Sequence, residues 1–221
     1  MINLMLTIGS IINTVAMGIY LSFVSNDIVP THFGIDGTPD EYGSKWTYLT
    51  ISAIPFMIAV MNILSSVLLK KNEKYNKNKK YLNRLFIVMF VILVAIVWIT
   101  TLTSINGLFA DNLPPMFISI LFGVAMAFVS NMFPKLKQNS TFGIKTISTL
   151  KSEVVWKKTH KLAGYTGVAG GIIMVVCGLL GIAFSDLSYA FMFTGMGIYV
   201  VIGAFIPMIY AHIIYVKEKL K

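Results

Sequence analysis

The stretch AGYTGVAGGIIMVVCGLLGIAF, residues 163–184, decides the fold, because it has no charged side chain and is long enough to cross a bilayer as one helix. Five other segments share this character, and the predicted spans are residues 3–24, 47–69, 85–106, 115–133, 163–184 and 188–215. The first has no basic start and is too long for a signal peptide, so we expect it to be retained. A mean hydropathy of +0.77 agrees with this pattern. We therefore predict an all-α, polytopic integral membrane protein with six transmembrane helices.

The basic residues indicate how these spans are oriented. Of the 18 Lys and Arg residues, seven lie between Lys70 and Arg84, seven between Lys135 and Lys161, and three in the tail after Val216. All of these fall on one side of a six-span chain, which the positive-inside rule makes the cytoplasmic side, so both termini are expected there. The pI of 9.6 then reflects topology, and anionic lipid is a better counter-charge than nucleic acid.

Small residues recur at four-residue spacing in two of the predicted spans. They are Ala163, Gly167 and Gly171 in the fifth span, and Gly123 and Ala127 in the fourth. Such faces favour close helix packing, and a groove for a peptide or lipid is the alternative interpretation. Asn131 follows on the same face of the fourth span, where it is placed to bond a carbonyl freed by Pro134.

Ionisable groups are nearly absent from the predicted spans. None contains Asp, Glu, Lys or Arg, which disfavours ion-coupled transport and proton relays. The exception is His212, for which a bond to a neighbouring helix or interfacial water is favoured over a functional switch. Cys177 is the single cysteine, so the chain has no intrachain disulfide and no cysteine-based metal motif. No cofactor is predicted.

The outer loop, residues 25–46, is rich in Pro, Gly and charged residues, which is typical of an ordered loop. His32 lies near Asp36, Asp40 and Glu41, a set that also resembles a metal site. One histidine with irregularly spaced carboxylates is a weak ligand set, so we favour a hydrogen-bonded loop without metal.

The inner loop, residues 134–161, is expected at the cytoplasmic interface. A helix is predicted to start at Ser148 or Thr149 and to run on, with Glu153 in its first turn and Trp156 at headgroup depth. Lys157, Lys158 and Lys161 would then reach lipid phosphates. Glu153 and His160 also resemble an acid/base pair, but without a nucleophile or second metal ligand we expect no enzyme.

Two segments resemble a known family. SNMFPKLKQNSTFGIKTISTLKSEVVWKKTHKLAGYTGVAGG, residues 130–171, resembles the signature of the SdpI family, bacterial membrane proteins typified by immunity to a sporulation-delaying peptide toxin. VPTHFGIDGTPDEYGSK, residues 29–45, resembles the short amino-terminal domain of unknown function that accompanies that family.

The matching positions form two ordered sets. In the outer loop they are Pro30, His32, Phe33, Gly37, Pro39, Asp40 and Lys45. In and around the inner loop they are Asn131, Pro134, Lys135, Asn139, Gly143, Ile144, Thr146, Thr149, Leu150, Glu153, Trp156, Thr159, His160 and Gly164. The chain departs from the family pattern at Gln138, Lys145, Ile147 and Ser148, where Pro, Arg, Pro and Trp are usual.

The resemblance implies a multi-pass protein of the bacterial cell membrane that protects its own cell from a secreted membrane-active peptide. It also implies a sensor role, in which a cytoplasmic transcriptional repressor is captured at the inner face. We divide the chain into a two-span unit (1–69), a basic cytoplasmic loop (70–84) and a four-span SdpI-like unit (85–221). The alternative function is a small exporter or permease for a peptide or lipid, and an intramembrane enzyme is the least favoured.

Overall fold

The computed structural model describes residues 1–34, 38–106 and 113–220, and within these ranges it confirms the six-span prediction. Six helical segments there are long and apolar enough to cross a membrane. They are Ile2–Ser22, Thr47–Leu68, Glu73–Ile105, Pro115–Lys135, Glu153–Ala183 and Ser185–Lys219.

The elements are numbered in chain order. The helices are α1 (Ile2–Ser22), α2 (Thr47–Ser52), α3 (Ile54–Leu68), α4 (Glu73–Asn106), α5 (Leu113–Ser130), α6 (Ile147–Lys151), α7 (Glu153–Ala183), α8 (Ser188–Tyr199) and α9 (Ile206–Lys219). Strands β1 (Ile28–Phe33) and β2 (Pro39–Ser44) form an antiparallel hairpin. Short 3₁₀ helices occupy Phe133–Lys135 and Ser185–Leu187, and a π-helix occupies Val200–Phe205.

Two helices begin well before the spans predicted from hydropathy. Helix α4 begins at Glu73 rather than near residue 85, and the side chain of Asn72 accepts a hydrogen bond from the Tyr75 amide at 3.0 Å. Helix α7 begins at Glu153 rather than near residue 163, with the Ser152 side chain capping the Val155 amide. Polar caps, and not the onset of apolar residues, therefore set both helix starts.

The last predicted span is continuous in hydropathy but irregular in structure. Helices α8 and α9 are joined by the π-helix that ends at Phe205. Pro207 follows at the start of α9, and proline has no amide hydrogen to donate to the preceding turn. The irregular turn therefore lies where the regular hydrogen-bond ladder is interrupted.

The amino-terminal half packs α1 and α3 against α4. Two apolar clusters hold it together, one around Leu6 and Phe86 and the other around Leu21 and Val97. Between them Trp98 Nε1 donates to Asn13 Oδ1 at 2.9 Å. This buried polar contact fixes how α1 is rotated against α4, because a misplaced partner would leave both groups unsatisfied.

The carboxyl-terminal half is built around the crossing of α5 and α7. A Cβ atom added to Gly123 would lie 2.6 Å from the Gly171 carbonyl oxygen, and one added to Gly171 would lie 2.7 Å from the Ala127 amide. The Ser119 hydroxyl donates across the same contact to the Met174 carbonyl at 2.9 Å. The close packing predicted from the small residues is confirmed, and the crossing occupies the face where the groove interpretation would place a ligand.

Candidate functional site

The outer loop folds into the β1–β2 hairpin. Its exposed polar part, called the tip below, is formed among the described residues by His32, Asp40 and Glu41. His32 lies opposite Glu41 in the strand register, and register shifts flank His32 on both sides. The His32 Nδ1–H donates to Asp40 Oδ1 at 2.6 Å, with both side chains largely exposed. This hydrogen bond to Asp40, followed by the attraction of the same carboxylate, raises the pKa of His32 above its ordinary value of 6.5.

The base of the hairpin is fixed to the helices. The Tyr48 hydroxyl donates to the Pro30 carbonyl at 2.6 Å and is hydrogen-bonded to the Ser104 hydroxyl at 2.6 Å. The buried Lys45 ammonium donates to the Val24 carbonyl and lies 3.0 Å from Asp27. The hairpin therefore has a rigid base on α2 and α4 and an exposed tip.

The remaining predicted outer-loop residues are distributed along this hairpin. Pro30 lies in β1 at its contact with Tyr48, and Phe33 pairs with Pro39 at the far end of the strands. Gly37 and Asp36 lie outside the described residues. Within the described ranges no group of three or more His, Cys, Asp or Glu residues is arranged to hold a metal ion.

The buried side-chain amide of Asn139 organises the first part of the inner loop. Asn139 Oδ1 accepts hydrogen bonds from the Thr141 and Phe142 amides, both at 2.8 Å. Its Nδ2 group donates to the carbonyls of Lys137 and Phe142 at 2.8 and 3.1 Å. Because Asn139 uses both ends of its side chain, it holds residues 137–142 in a single compact turn.

Gly143 brings this turn against a buried histidine. Its φ of 117° lies in a region that side chains rarely adopt, and an added Cβ would clash with His160 Nε2. The next amide, that of Ile144, donates to His160 Nε2 at 3.0 Å. The other ring nitrogen, Nδ1, bonds the Trp156 carbonyl at 2.9 Å. These partners require a neutral imidazole with its proton on Nδ1.

An aromatic cluster surrounds the histidine. The rings of Trp156 and His160 stack with centroids 3.9 Å apart, and Phe133 meets the His160 ring edge-on at 5.9 Å. Phe142 packs edge-on against Phe133 at 5.8 Å. Trp156 Nε1 donates to the Leu136 carbonyl at 2.9 Å, so this indole is fully buried and bonded within the protein. The indole of Trp156 therefore packs inside the protein and does not face lipid headgroups, whereas its predicted depth at the interface stays a prediction.

The helix predicted from Ser148 or Thr149 is divided in two. Thr146 caps the five-residue α6 through a reciprocal pair with Thr149, and Ser152 then adopts an extended conformation before α7 begins. The Thr149 hydroxyl also donates to the Ile144 carbonyl at 2.8 Å. The break exists because Ser152 caps the second helix and cannot also continue the first.

Glu153 and His160 do not form an acid/base pair. Glu153 is exposed at the start of α7 and pairs with Lys157 at 3.0 Å. His160 is buried, and both of its ring nitrogens are occupied by backbone groups. Lys157, Lys158 and Lys161 are exposed, and their contact with lipid phosphates stays a prediction.

The other matching residues lie around the cluster. Pro134 packs on Gly164, where an added Cβ would lie 2.6 Å from the proline Cγ. The Thr159 hydroxyl is buried without a hydrogen-bond partner in the described part of the chain. Lys135 is exposed. Asn131 is exposed in the turn after α5, and its predicted side-chain bond is not formed among the described residues.

Two of the four departures from the family pattern, Gln138 and Lys145, form side-chain hydrogen bonds in this chain. Gln138 Nε2 donates to the carbonyls of Thr149 and Leu150 at 2.8 and 3.0 Å, which satisfies backbone groups at the end of α6. Lys145 donates to the Ser140 and Thr141 carbonyls. The inner loop therefore closes on α6 through side chains that differ from those usual in the family.

Sequence reasoning missed Asn78. Its Nδ2 group donates to the Lys137 carbonyl at 3.0 Å, and its Oδ1 accepts from the Lys137 amide at 2.9 Å, so α4 is docked on the inner loop. The helical spacing of Tyr75, Asn78 and Leu82 within a strongly basic run could have indicated a buried face. All three residues are buried on one face of α4. The surrounding lysines concealed this face in a hydropathy profile.

Helix α4 thus contacts both loops. Ser104 meets the base of the hairpin through Tyr48, and Asn78 bonds the inner loop. At 1.5 Å per residue the two contacts are about 39 Å apart along one uninterrupted helix. The candidate site consequently has an exposed outer part and a buried inner part on one shared element.

Comparison with known proteins identifies both parts. Residues 135–211 match the model of the SdpI/YfhL protein family. Residues 10–59 match the domain of unknown function DUF1648. No curated protein and no solved structure matched the chain. The inner loop and the helices that follow it in this multi-pass protein of the cell membrane are thus similar to the SdpI/YfhL family, and the segment similar to DUF1648 precedes them.

Proposed function

We propose that the protein is an immunity protein, without enzymatic activity, that protects a bacterial cell from a secreted membrane-active peptide. The similarity of residues 135–211 to the SdpI/YfhL family carries this proposal. The polar tip of the hairpin then faces the exterior, because the positive-inside rule assigns the lysine-rich inner loop to the cytoplasm.

The hairpin is the part that we assign to the peptide. Its tip carries the exposed His32–Asp40 pair, and Tyr42, opposite Pro30 and nearer the base, is 63% exposed. Exposed charged and aromatic groups on a rigid base suit recognition, since little ordering cost is added on binding. The inner loop offers fewer free groups, because Asn139, Trp156 and His160 bond within the protein.

We further propose that the protein acts as a sensor, which signals peptide binding to the inner face. A ligand at the hairpin must favour one of two states that also differ at the inner face, where a cytoplasmic repressor would bind. Helix α4 supports this role because it bonds Tyr48 beneath the hairpin and Lys137 in the inner loop. Coupling requires a change in one of these two contacts.

A survival assay tests the immunity function. Toxin-sensitive cells that express the protein are challenged with the secreted peptide encoded beside its gene. We expect survival with the native chain, and lower survival with His32→Ala or Asp40→Ala at equal membrane abundance. Asp186→Ala is the matched control, because it removes an exposed acid far from the hairpin in sequence. Absence of protection by the native chain would overturn the proposal.

Two measurements separate the alternatives. Peptide flux into proteoliposomes would establish the exporter, whereas protection without flux supports immunity by binding. Peptide-dependent co-purification of a DNA-binding protein encoded in the same operon supports the sensor role. Equal co-purification with and without peptide would refute signalling while leaving protection intact.

A further inference from the structure

A groove lies between α6 and the last helix, apart from the aromatic cluster around His160. Its volume is about 480 Å³, which lies in the range of small-molecule sites. Ile147 and Ser148 line one wall, and Phe205, Met208, Ile209 and His212 line the other. Thr146, which caps α6, also lines the groove, whereas the hairpin and the aromatic cluster around His160 do not.

The wall from the last helix is one continuous apolar face. Phe205, Met208, Ile209 and His212 follow the spacing i, i+3, i+4, i+7 of a single helix side. Met208 is 42% exposed and Ile209 is 60% exposed. In a membrane-spanning chain this face therefore adjoins lipid rather than water.

The opposite wall has the character of an interfacial segment. Ile147 is 72% exposed and Leu150 is 45% exposed, although both lie in a short polar-flanked helix. Lys145 and Lys151 stand on either side of them and are exposed. Apolar side chains between lysines are typical of segments that enter the boundary between headgroups and acyl chains.

The groove is polar at one end and apolar at the other. The polar lining residues are Thr146, Ser148 and His212. Outside the lining, the Ser152 hydroxyl donates to Glu218 Oε2 at 2.9 Å and ties the start of α7 to α9. Phe205 lies about 10 Å along the helix axis from His212, farther into the span. This gradient suits a molecule with a polar headgroup and an apolar tail.

The helix is also irregular where the apolar end begins. Phe205 is the last residue of the π-helix Val200–Phe205. Single π-turns within α-helices frequently occur at functional sites. Phe205 also lines the groove, so the π-helix ends at the apolar end of the groove.

The charges beside the polar end are mainly positive. Lys145 and Lys151 flank α6, and Lys217 and Lys219 lie in the last turn of α9, with Glu218 as the opposing acid. Lysines at the membrane surface attract anionic lipid headgroups. The chemistry at this end therefore favours an anionic over a zwitterionic headgroup.

We propose that this groove binds one acyl chain of an anionic phospholipid, in the leaflet where the inner loop lies. The headgroup rests beside Lys145 and Lys151, and the chain packs along Met208 and Phe205. The site is independent of peptide recognition at the hairpin.

Native mass spectrometry of delipidated protein tests the site directly. The probe is an equimolar mixture of phosphatidylglycerol and phosphatidylcholine with identical acyl chains. We expect one phosphatidylglycerol to be retained in roughly tenfold preference, because several lysines act together on its headgroup. Met208→Trp should abolish retention by filling the groove, and Leu179→Trp, at a 53% exposed position on α7, should leave it unchanged.

Two further variants protect the test against misfolding. Ile209→Trp fills the groove from the adjacent position, and monodispersity with an unchanged Tm shows that each filled protein is folded. Lys145→Gln combined with Lys151→Gln should remove the preference for phosphatidylglycerol, whereas Lys79→Gln with Lys80→Gln should not. Equal retention of the two lipids by the native chain, or unchanged retention in folded groove-filling variants, would overturn the proposal.

Discussion

The outer and inner loops both carry residues that match a family pattern, yet one pair from each loop lies in the opposite environment to the other. In the outer loop the side chains of His32 and Asp40 are 63% and 49% exposed. In the inner loop Trp156 and His160 are 0% and 1% exposed. The His32–Asp40 pair is therefore available to a partner, whereas Trp156 and His160 chiefly stabilise the fold.

This difference separates two kinds of mutational effect. A buried side chain contributes packing and internal hydrogen bonds, so its loss lowers the free energy of unfolding. An exposed ion pair contributes little to the free energy of unfolding, and its loss mainly lowers the affinity for a partner that binds there. Substitutions in the two loops should consequently differ in thermal stability before any partner is present.

The largest expected effect is that of Trp156→Ala. It empties the aromatic cluster and leaves the Leu136 carbonyl without its donor, which should cost about 3–5 kcal/mol of unfolding free energy. Tm in detergent, followed by intrinsic fluorescence, measures this loss. Trp46→Ala is the control, because Trp46 is 46% exposed and its loss should change stability by about 0.5 kcal/mol or less. Similar losses at both positions would erase the distinction between the loops.

Gly143→Ala should cause the second-largest loss of unfolding free energy. The positive φ alone should cost about 1–3 kcal/mol, and the clash with His160 adds to it. Gly197→Ala is the control, since an added Cβ there has no atom within 4 Å and the helix should tolerate it. A Gly143→Ala protein as stable as the native chain would show that the inner loop can rearrange.

Asn78→Ala tests how the inner loop is joined to α4. Leaving the Lys137 amide and carbonyl unpaired should cost about 1–3 kcal/mol and accelerate hydrogen exchange at that amide. Asn76→Ala is the matched control, because Asn76 bonds only the exposed Lys70 region. Unchanged exchange at Lys137 in the Asn78 variant would contradict the docking of α4 on the inner loop.

The smallest effect is expected for the His32–Asp40 pair. Because the pKa of His32 is raised, the pair's contribution to hairpin stability is fully present below pH 6.5 and is lost as pH rises through the raised pKa. An NMR titration should show the pKa of His32 falling toward 6.5 in Asp40→Asn, with a smaller fall in Glu41→Gln. Tm should hardly change. A large fall in Tm in Asp40→Asn would show instead that the His32–Asp40 pair stabilises the fold.

The spans and several inner-loop positions could be predicted from the sequence. Uncharged runs such as residues 163–184 identify helices, because hydrocarbon admits few unpaired charges. The family pattern named Gly143, which the structure holds at a positive φ, and Thr146, which caps α6. Glu153 was also expected in the first turn of its helix, and it lies there in α7.

The environment of Trp156 could not be predicted in this way. A tryptophan among lysines near a span end is typical of the membrane interface, and that reasoning gave the wrong surroundings. The indole is buried because Leu136, far away in sequence, offers its carbonyl and the His160 ring stacks on it. Asn78 was overlooked for a related reason, since its partner, Lys137, is 59 residues distant.

The amino-acid sequence by itself determined the class of protein, the number of spans and the order of its two loops. Those properties follow from local composition, because transfer into hydrocarbon depends on each segment's own side chains. Only the tertiary structure decided that the inner loop closes on Trp156 and His160, that one helix joins both loops, and that a groove opens beside α9. These features depend on contacts between residues distant in the chain, and such contacts form only when the helices have packed.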